Sequence, residues 1–153
     1  MRVVHHDPPE LGERDGLAYA LFRPAGRPRA RLVVLHGAGS VKESHYAWAR
    51  SCRARGISAI CFDMRGHGES GGRLDERVLE DVATMAAVAG EPAPGVPEEP
   101  RVRSVPLLLR GSSMGGWLAL AAGVRLEAAG VVAICPAEGT ALVRALRGDA
   151  LPE

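Results

Sequence analysis

The sequence has almost no net charge and no long apolar run. Nineteen Lys and Arg residues against eighteen Asp and Glu leave a net charge of +1, so no strong field attracts phosphate backbones or anionic lipid. No stretch is long enough to span a bilayer, and the N-terminus lacks the apolar segment of a signal peptide. We therefore expect a protein that binds no nucleic acid and does not insert stably into membranes.

Cysteine is also scarce. Cys52, Cys61 and Cys135 are widely spaced and form no Cys-x-x-Cys pair, which argues against a zinc or redox site. An odd number of cysteines fits a reducing compartment, so we expect a cytoplasmic protein. Cys61 and Cys135 each lie in an apolar run and are predicted to be buried.

The composition is that of a folded domain. Hydrophobic residues make up 46% and charged residues 24% of the 153 residues, a balance typical of soluble globular proteins, and we predict one domain over residues 1–153. Apolar runs of strand type alternate with segments of helical periodicity. The predicted strands are 17–22 at a sheet edge and 31–36, 57–62, 105–110 and 129–135 as buried strands. The predicted helices are 46–55, 74–88, 114–128 and 140–147, with a surface loop at 90–100.

This alternation indicates a mostly parallel sheet with helices on both faces, which is a three-layer α/β/α sandwich. In such sheets ligands bind beyond the carboxyl ends of the strands. The segments that directly follow the predicted strands are therefore the places to look for chemistry.

One such segment, residues 111–115, is the only G-x-S-x-G of the chain and lies between a predicted strand and a predicted helix. A nucleophile elbow places its serine, here Ser113, in a strained turn that small flanking residues permit. The Ser113 hydroxyl is then exposed, and the Met114 N–H at the helix start points toward any oxyanion formed there. The His36-Gly37-Ala38-Gly39 loop after an earlier strand offers the Ala38 N–H as the second donor.

Three segments resemble the α/β-hydrolase superfamily, and within it the lysophospholipase, monoacylglycerol-lipase and serine-aminopeptidase-like branch. They are residues 36–39 (HGAG), 63–70 (DMRGHGES) and 111–116 (GSSMGG). The resemblance implies an α/β-hydrolase fold truncated after its sixth strand. It also implies hydrolysis of a small acyl ester through an acyl-serine intermediate, with Ser113 as nucleophile, Ala38 and Met114 as amide donors, and no metal or organic cofactor.

The chain departs from the family pattern in its histidines. The family triad runs Ser, then acid, then His along the chain, whereas every histidine here precedes Ser113; they are His5, His6, His36, His45 and His67. The resemblance assigns His36 and His67 to structural parts of the strand-end loops, and it leaves Glu138 and Asp149 as candidates for the acid. Because a serine hydroxyl without a base is a poor nucleophile, we expect this chain alone to be inactive or weakly active.

Two other interpretations compete with this one. Residues 66–71 match the dinucleotide fingerprint G-x-G-x-x-G, but the helix signal begins later and the next strand ends in the basic Arg110 where an acidic residue is needed. The stronger competitor is a catalytically incomplete, hydrolase-derived binding or interaction module. Its open sheet edge would need a partner, either through self-association or through a complementary C-terminal part.

Overall fold

The computed structural model describes residues 7–96 and 105–147. The strands are β1 Glu10–Arg14, β2 Leu17–Phe22, β3 Ala30–Leu35, β4 Ile57–Phe62, β5 Leu107–Ser112 and β6 Gly130–Ile134. The helices are α1 Tyr46–Arg53, α2 Val78–Val88, α3 Met114–Arg125 and α4 Gly139–Arg147, with a 3₁₀ turn at Lys42–His45 before α1. None of the helices in these two ranges is long and apolar enough to cross a membrane.

The six strands form one sheet in the order β1-β2-β4-β3-β5-β6. β3 pairs in parallel with β4 and β5, and β5 pairs in parallel with β6. Within the described sheet only β2 runs in the opposite direction, since it is antiparallel to both of its neighbours, β1 and β4. The mostly parallel sheet predicted from the sequence is confirmed, with β3 at its centre.

Helices cover both faces of the sheet. Successive side chains of a strand point to opposite faces, and in β3 this sends Val33 and Leu35 into a core shared with α2 and α3. Leu32 and Val34 point the other way, into a second core with Ala49 of α1. Because both faces of β3 are covered, its sequence is apolar throughout rather than alternating. The three-layer architecture is thereby confirmed.

The prediction that residues 17–22 form an edge strand is wrong, because β1 pairs along the outer side of β2. β1 reads Glu-Leu-Gly-Glu-Arg and is mostly exposed, so it carries no apolar alternation to announce a strand. A hairpin signal is nevertheless present in Asp15-Gly16, whose φ angles are +54° and +76°, as expected for a tight Asp-Gly hairpin turn.

At the opposite edge, the prediction of a buried strand ending in a buried Cys135 is also wrong. β6 is the last strand of the described sheet, with Val132 56% and Ile134 41% exposed. Cys135 lies beyond the end of β6 at φ +42° and is exposed. Cys61, in contrast, is buried as predicted, and burial raises the pKa of its thiol to about 12.

The boundaries of several elements differ from those predicted. β5 lies at Leu107–Ser112 rather than at 105–110, because Pro106 has no N–H to donate to a neighbouring strand. This shift brings Ser112 into the strand and leaves Ser113 at the turn. α2 begins at Val78 rather than at 74. Of the predicted loop at 90–100, residues 90–96 are irregular and 97–100 lie outside the described residues.

Candidate active site

Ser113 lies between the end of β5 and the start of α3, in a backbone conformation that is rare for any residue except glycine. Its φ and ψ are 52° and −121°, and its side chain is exposed. A residue held in this region typically costs about 1–3 kcal/mol. Such strain persists only where the surrounding structure enforces it.

The two glycines of the motif enforce this turn by close backbone contact. A Cβ on Gly111 would collide with the carbonyl group of Gly115, and a Cβ on Gly115 would collide with the carbonyl oxygens of Leu35 and His36. The first turn of α3 therefore packs directly on the end of β3. Glycine is required at both positions because the opposing atoms belong to the main chain and cannot move aside.

The segment after β6 holds the backbone of Ser113 from the other side. The Ser113 N–H donates to the carbonyl oxygen of Ile134 at 3.0 Å, and the Ala137 N–H donates to the carbonyl oxygen of Ser113, also at 3.0 Å. The main chain of the serine is thus fixed, although the residue as a whole is exposed.

Two backbone amides beside Ser113 are the predicted oxyanion donors. Met114 is the first residue of α3, so its N–H has no partner within the helix and lies at the positive end of the helix dipole. Ala38 is exposed. Across residues 7–96 and 105–147, no backbone carbonyl accepts a hydrogen bond from either amide. Both donors are therefore free to bind a ligand.

The loop that carries Ala38 runs alongside the serine. An added Cβ on Gly37 would lie 3.5 Å from the Cβ of Ser113, which is an ordinary van der Waals distance. The Ser40 N–H closes a turn by donating to the Gly37 carbonyl oxygen at 3.2 Å. Gly39, the third residue of this turn, has φ +69°, a conformation that glycine adopts without strain.

His36 is buried at the base of this loop and is bonded through both ring nitrogens. Its Nε2 accepts a hydrogen bond from the Met64 N–H at 3.0 Å, and its Nδ1 lies 2.8 Å from the Gly37 carbonyl oxygen. Burial lowers the pKa of the imidazole. His36 therefore joins the loops after β3 and β4, in agreement with the structural role that the resemblance assigned to it.

An ion cluster around the buried Lys42 and Asp63 side chains makes a second connection between these two loops, and sequence reasoning missed it. The Lys42 ammonium is 2.8 Å from Asp63, 2.5 Å from Glu69 and 3.0 Å from Glu43, so its three N–H donors meet three carboxylates. Burial disfavours the charged ammonium, but these hydrogen bonds outweigh it and raise the Lys42 pKa. One signal was available, since Lys42 is the only lysine in the sequence.

Asp63 is the first residue of the second motif, DMRGHGES. Its carboxylate is fully buried and accepts hydrogen bonds from the backbone N–H groups of Lys42 and Glu69, at 2.8 and 3.0 Å. Burial would raise the pKa of this carboxyl, but these partners and the Lys42 ammonium together lower it. Gly68 has φ +50°, and a Cβ there would collide with the same carboxylate. These motif residues therefore have structural roles in the loop after β4.

The helix after this loop excludes the dinucleotide alternative. α2 begins at Val78, well beyond residues 66–71, so the helix that follows this glycine-rich turn does not begin within it, as the dinucleotide fingerprint requires. Arg65 of the same loop instead makes a bidentate ion pair with Asp81 of α2, with Nε 2.7 Å from one carboxylate oxygen. The turn serves to join β4 to α2.

The remaining candidates for base and acid are scattered. His45 precedes α1, with its Nδ1 3.1 Å from an Arg110 guanidinium nitrogen, and burial and this cation lower its pKa. His67 packs edge-on against His36, with ring centroids 5.0 Å apart. Glu138 lies just before α4 and is exposed. The other candidates, His5, His6 and Asp149, lie outside the described residues.

An open pocket of about 510 Å³ lies between the start of α2, α3 and α4. Val78, Trp117 and Val143 contribute apolar surface, with Arg77 and Arg147 among the charged residues that line it. Trp117 lies one helical turn after Ser113, and its backbone N–H donates to the Ser113 carbonyl oxygen at 3.2 Å.

Among the described residues, no cluster of three or more His, Cys, Asp or Glu side chains is arranged to hold a metal ion.

Comparison with known proteins decides the family. A family model described as serine aminopeptidase, S33, matches residues 26–147, which include both loops and the elbow. The chain belongs to this family of hydrolases. Membership of the α/β-hydrolase superfamily, predicted from three short motifs, is thereby confirmed.

Two curated relatives of this S33 chain are lipases. It is 30% identical over 115 residues to a monoacylglycerol lipase of Mycolicibacterium smegmatis, which covers 71% of this chain and 38% of the lipase. It is 28% identical over 138 residues to the human monoglyceride lipase, which covers 88% of this chain and 44% of that protein. The S33 chain therefore spans less than half the length of these relatives.

Solved structures show the same fold. A soluble variant of monoglyceride lipase from Saccharomyces cerevisiae matches 88% of this chain and 47% of its own, with a TM-score of 0.67 and 23% identity. A lidless α/β serine hydrolase from Xanthomonas campestris matches 90% of this chain and 66% of its own, with a TM-score of 0.69 and 22% identity. The six-stranded sheet of this S33 chain corresponds to part of the α/β-hydrolase fold.

Proposed function

We propose that this chain supplies the nucleophile and the oxyanion-binding groups of a serine hydrolase that cleaves carboxylic esters. The observation that carries the proposal is the geometry at Ser113. An exposed serine sits in a strained strand-to-helix turn, with the free amide of Met114 beside it and the loop of Ala38 so near that a Cβ added to Gly37 would touch Ser113.

The proposed reaction begins with attack of the Ser113 Oγ on the carbonyl carbon of an ester. The carbonyl oxygen becomes an oxyanion and accepts hydrogen bonds from the Ala38 and Met114 N–H groups, each worth roughly 3–4 kcal/mol in the transition state. Collapse of the tetrahedral intermediate breaks the ester C–O bond and leaves an acyl group on Ser113, while the base passes the proton taken from Ser113 to the leaving oxygen, which departs as the alcohol. Water then cleaves this acyl-serine to the free acid and regenerates the hydroxyl.

The reaction needs a base to accept the Ser113 proton, and no histidine follows Ser113 in the sequence. Among the described histidines, His36 is bonded through both ring nitrogens. We therefore propose that this chain by itself is inactive or weakly active, because oxyanion donors and binding alone supply only residual catalysis.

For the substrate class, we propose uncharged acyl esters such as monoacylglycerols. The relatives from Mycolicibacterium smegmatis and human are a monoacylglycerol lipase and a monoglyceride lipase. The exposed position of Ser113 is compatible with an ester approaching from solvent.

We also propose a cytoplasmic location, which accords with the free thiols of Cys52, Cys61 and Cys135.

Chemical rescue tests this proposal on the chain as it stands. The protein is incubated with a fluorophosphonate while the concentration of free imidazole is raised, and the adduct is located by peptide mass spectrometry. We expect phosphonylation at Ser113 with a rate that rises with imidazole, because imidazole supplies the base that the sequence lacks.

Two variants control the experiment. Ser113→Ala should abolish the adduct, whereas Ser112→Ala removes the neighbouring hydroxyl, which belongs to the last residue of β5, and should leave the adduct in place. A folded chain, judged by circular dichroism, whose Ser113 stays unmodified at every imidazole concentration would contradict the proposal.

The exposed edge of β6 supports a second candidate function, that of an interaction module. Val132 and Ile134 are 56% and 41% exposed on this last strand, and an unpaired apolar edge promotes strand pairing between chains. We propose that this edge pairs either with a second copy or with a complementary C-terminal hydrolase part. Sedimentation analysis of the chain with and without Ile134→Lys tests it, since a monomer in both cases argues against self-association.

A further inference from the structure

The Gly37 carbonyl and the Ala38 N–H belong to one peptide group. A trans peptide is planar, with its C=O and N–H pointing in opposite directions. Whatever holds the Gly37 oxygen therefore also sets the direction of the Ala38 N–H. Two groups hold that oxygen, namely His36 Nδ1 at 2.8 Å and the Ser40 N–H at 3.2 Å.

The ring of His36 can hold this oxygen in only one neutral form. The Met64 N–H donates to Nε2 at 3.0 Å, so Nε2 must carry a lone pair. The Gly37 oxygen can only accept, so Nδ1 must carry the proton. The two contacts require the same tautomer, and the hydrogen bond from Met64 selects it.

The imidazole has little freedom to leave this arrangement. It is fully buried, it packs against the ring of His67, and Met64, which holds it, directly follows the ion-paired Asp63. The position of the ring is therefore set by the loop after β4, while its Nδ1–H acts on the loop after β3.

We propose that His36 is a positioning residue, which aims the Ala38 N–H at the reacting oxygen by donating a hydrogen bond to the carbonyl of the same peptide. This inference rests on the proposed function. It explains why a histidine in this buried place need not exchange protons with substrate to matter for catalysis.

Two substitutions separate the two hydrogen bonds of the ring. His36→Asn places an amide N–H near the position of Nδ1 and keeps the bond to Gly37, while His36→Gln places an amide oxygen near Nε2 and keeps the bond from Met64. Both variants remove the ring and retain one polar contact, so they differ in which hydrogen bond survives and by one methylene of packing.

The measurement is the rate of Ser113 phosphonylation in saturating imidazole as the fluorophosphonate concentration is varied. We expect His36→Gln to lower the maximal rate about 10- to 100-fold, which is less than the roughly 100- to 1,000-fold of losing an oxyanion donor because the Ala38 N–H is misdirected rather than removed, with the half-saturating concentration unchanged. We expect His36→Asn to stay within about threefold of the unsubstituted chain, because its donor to Gly37 remains.

The outcomes are distinguishable. If Ser113 of the unsubstituted chain is not modified, the proposed function itself fails. If it is modified and His36→Gln reacts at the same rate, only the positioning role fails. The same holds if both variants lose rate in proportion to their loss of thermal stability, because that pattern indicates a purely structural residue.

A measurement on the unsubstituted chain does not depend on either variant folding. Nitrogen-15 chemical shifts of the His36 ring at neutral pH should show a protonated Nδ1 and a bare Nε2. A proton on Nε2 would overturn the proposal, since Nδ1 could then not donate to the Gly37 oxygen.

Discussion

The loops on the two sides of Ser113 are built in different ways. On the side of β3 and β4, buried side chains join the two loops. His36 of the loop after β3 accepts a hydrogen bond from the loop after β4, and Asp63 at the end of β4 accepts hydrogen bonds from Lys42. On the side of β6, contact with the serine is made by backbone groups of Ile134 and Ala137, while the side chains there are exposed. The loops after β3 and β4 are thus held by buried side chains, whereas the segment at the end of β6 presents exposed side chains to solvent.

This difference has an energetic basis. Buried polar and charged groups are tolerated only when each is paired, so the loops after β3 and β4 must assemble together. The exposed β6 edge carries no such constraint. We therefore expect substitutions in the first region to be severe and matched substitutions in the second to be mild, as the following experiments test.

The largest effect is expected from Gly115→Ala. The new Cβ meets the carbonyl oxygens of Leu35 and His36, and because main-chain atoms cannot move aside, we expect a loss above the roughly 1–3 kcal/mol of ordinary overpacking. Urea denaturation measures it. Gly95→Ala is the control, since nothing lies within 4 Å of the added Cβ at φ +81° and only backbone strain is added. Equal losses would contradict the steric explanation.

Lys42→Met should have the next largest effect. It leaves the buried Asp63 carboxylate without its cation, and breaking such a pair costs about 3–5 kcal/mol. The exposed ion pair of Arg77 with Asp75 is the comparison, because Arg77→Met should not change the urea midpoint measurably. A midpoint for Lys42→Met close to that of Arg77→Met would show that the cluster does not support the loops.

The same substitution in two strands gives a direct comparison of the regions. Val33→Ala in β3 leaves a cavity where a fully buried side chain was, since Val33 is 0% exposed. We expect the free energy of unfolding to fall by roughly 2–3 kcal/mol. Val132→Ala in β6, where the side chain is 56% exposed, should stay within about 0.5 kcal/mol. A large loss at Val132 in urea denaturation would mean that β6 is covered in solution, as by a second chain.

A smaller and gradual effect is expected from acid. The pKa values of His36 and His45 are lowered by burial, with His67 further lowering and Asp63 raising that of His36, and Arg110 and His36 lowering that of His45. The unfolded chain, with an ordinary histidine pKa of 6.5, then binds more protons than the folded chain as pH falls. The contribution of these two histidines to the free energy of unfolding should therefore be complete above pH 6.5 and decline as the pH falls below it.

Thermal unfolding at several pH values checks this prediction. His36→Asn should flatten part of the decline, because one of the two groups is then absent. A stability that is constant or that rises as pH falls below 6.5 would contradict the assigned direction of both pKa shifts.

Much of the fold could be predicted from local sequence patterns. The strand at residues 57–62 has the bounds that its apolar run predicted, and the glycines around Ser113 predicted a tight turn. β1 could not be predicted in this way, because its five residues are polar and exposed and it is held only by pairing with β2. The exposure of Cys135 likewise depends on the position of β6 at the sheet edge, which local hydropathy does not encode.

The sequence by itself determined the family and the place of Ser113, because motif glycines mark backbone positions where no Cβ fits. The roles of the candidate donors Ala38 and Met114 stay predictions for the experiments above. Only the tertiary structure revealed how the neighbouring loops are held, through His36 and through Lys42 with Asp63. His36 lies 28 residues from its partner Met64, and Lys42 lies 21 residues from Asp63. The pairing of β3 with β4 brings these partners together.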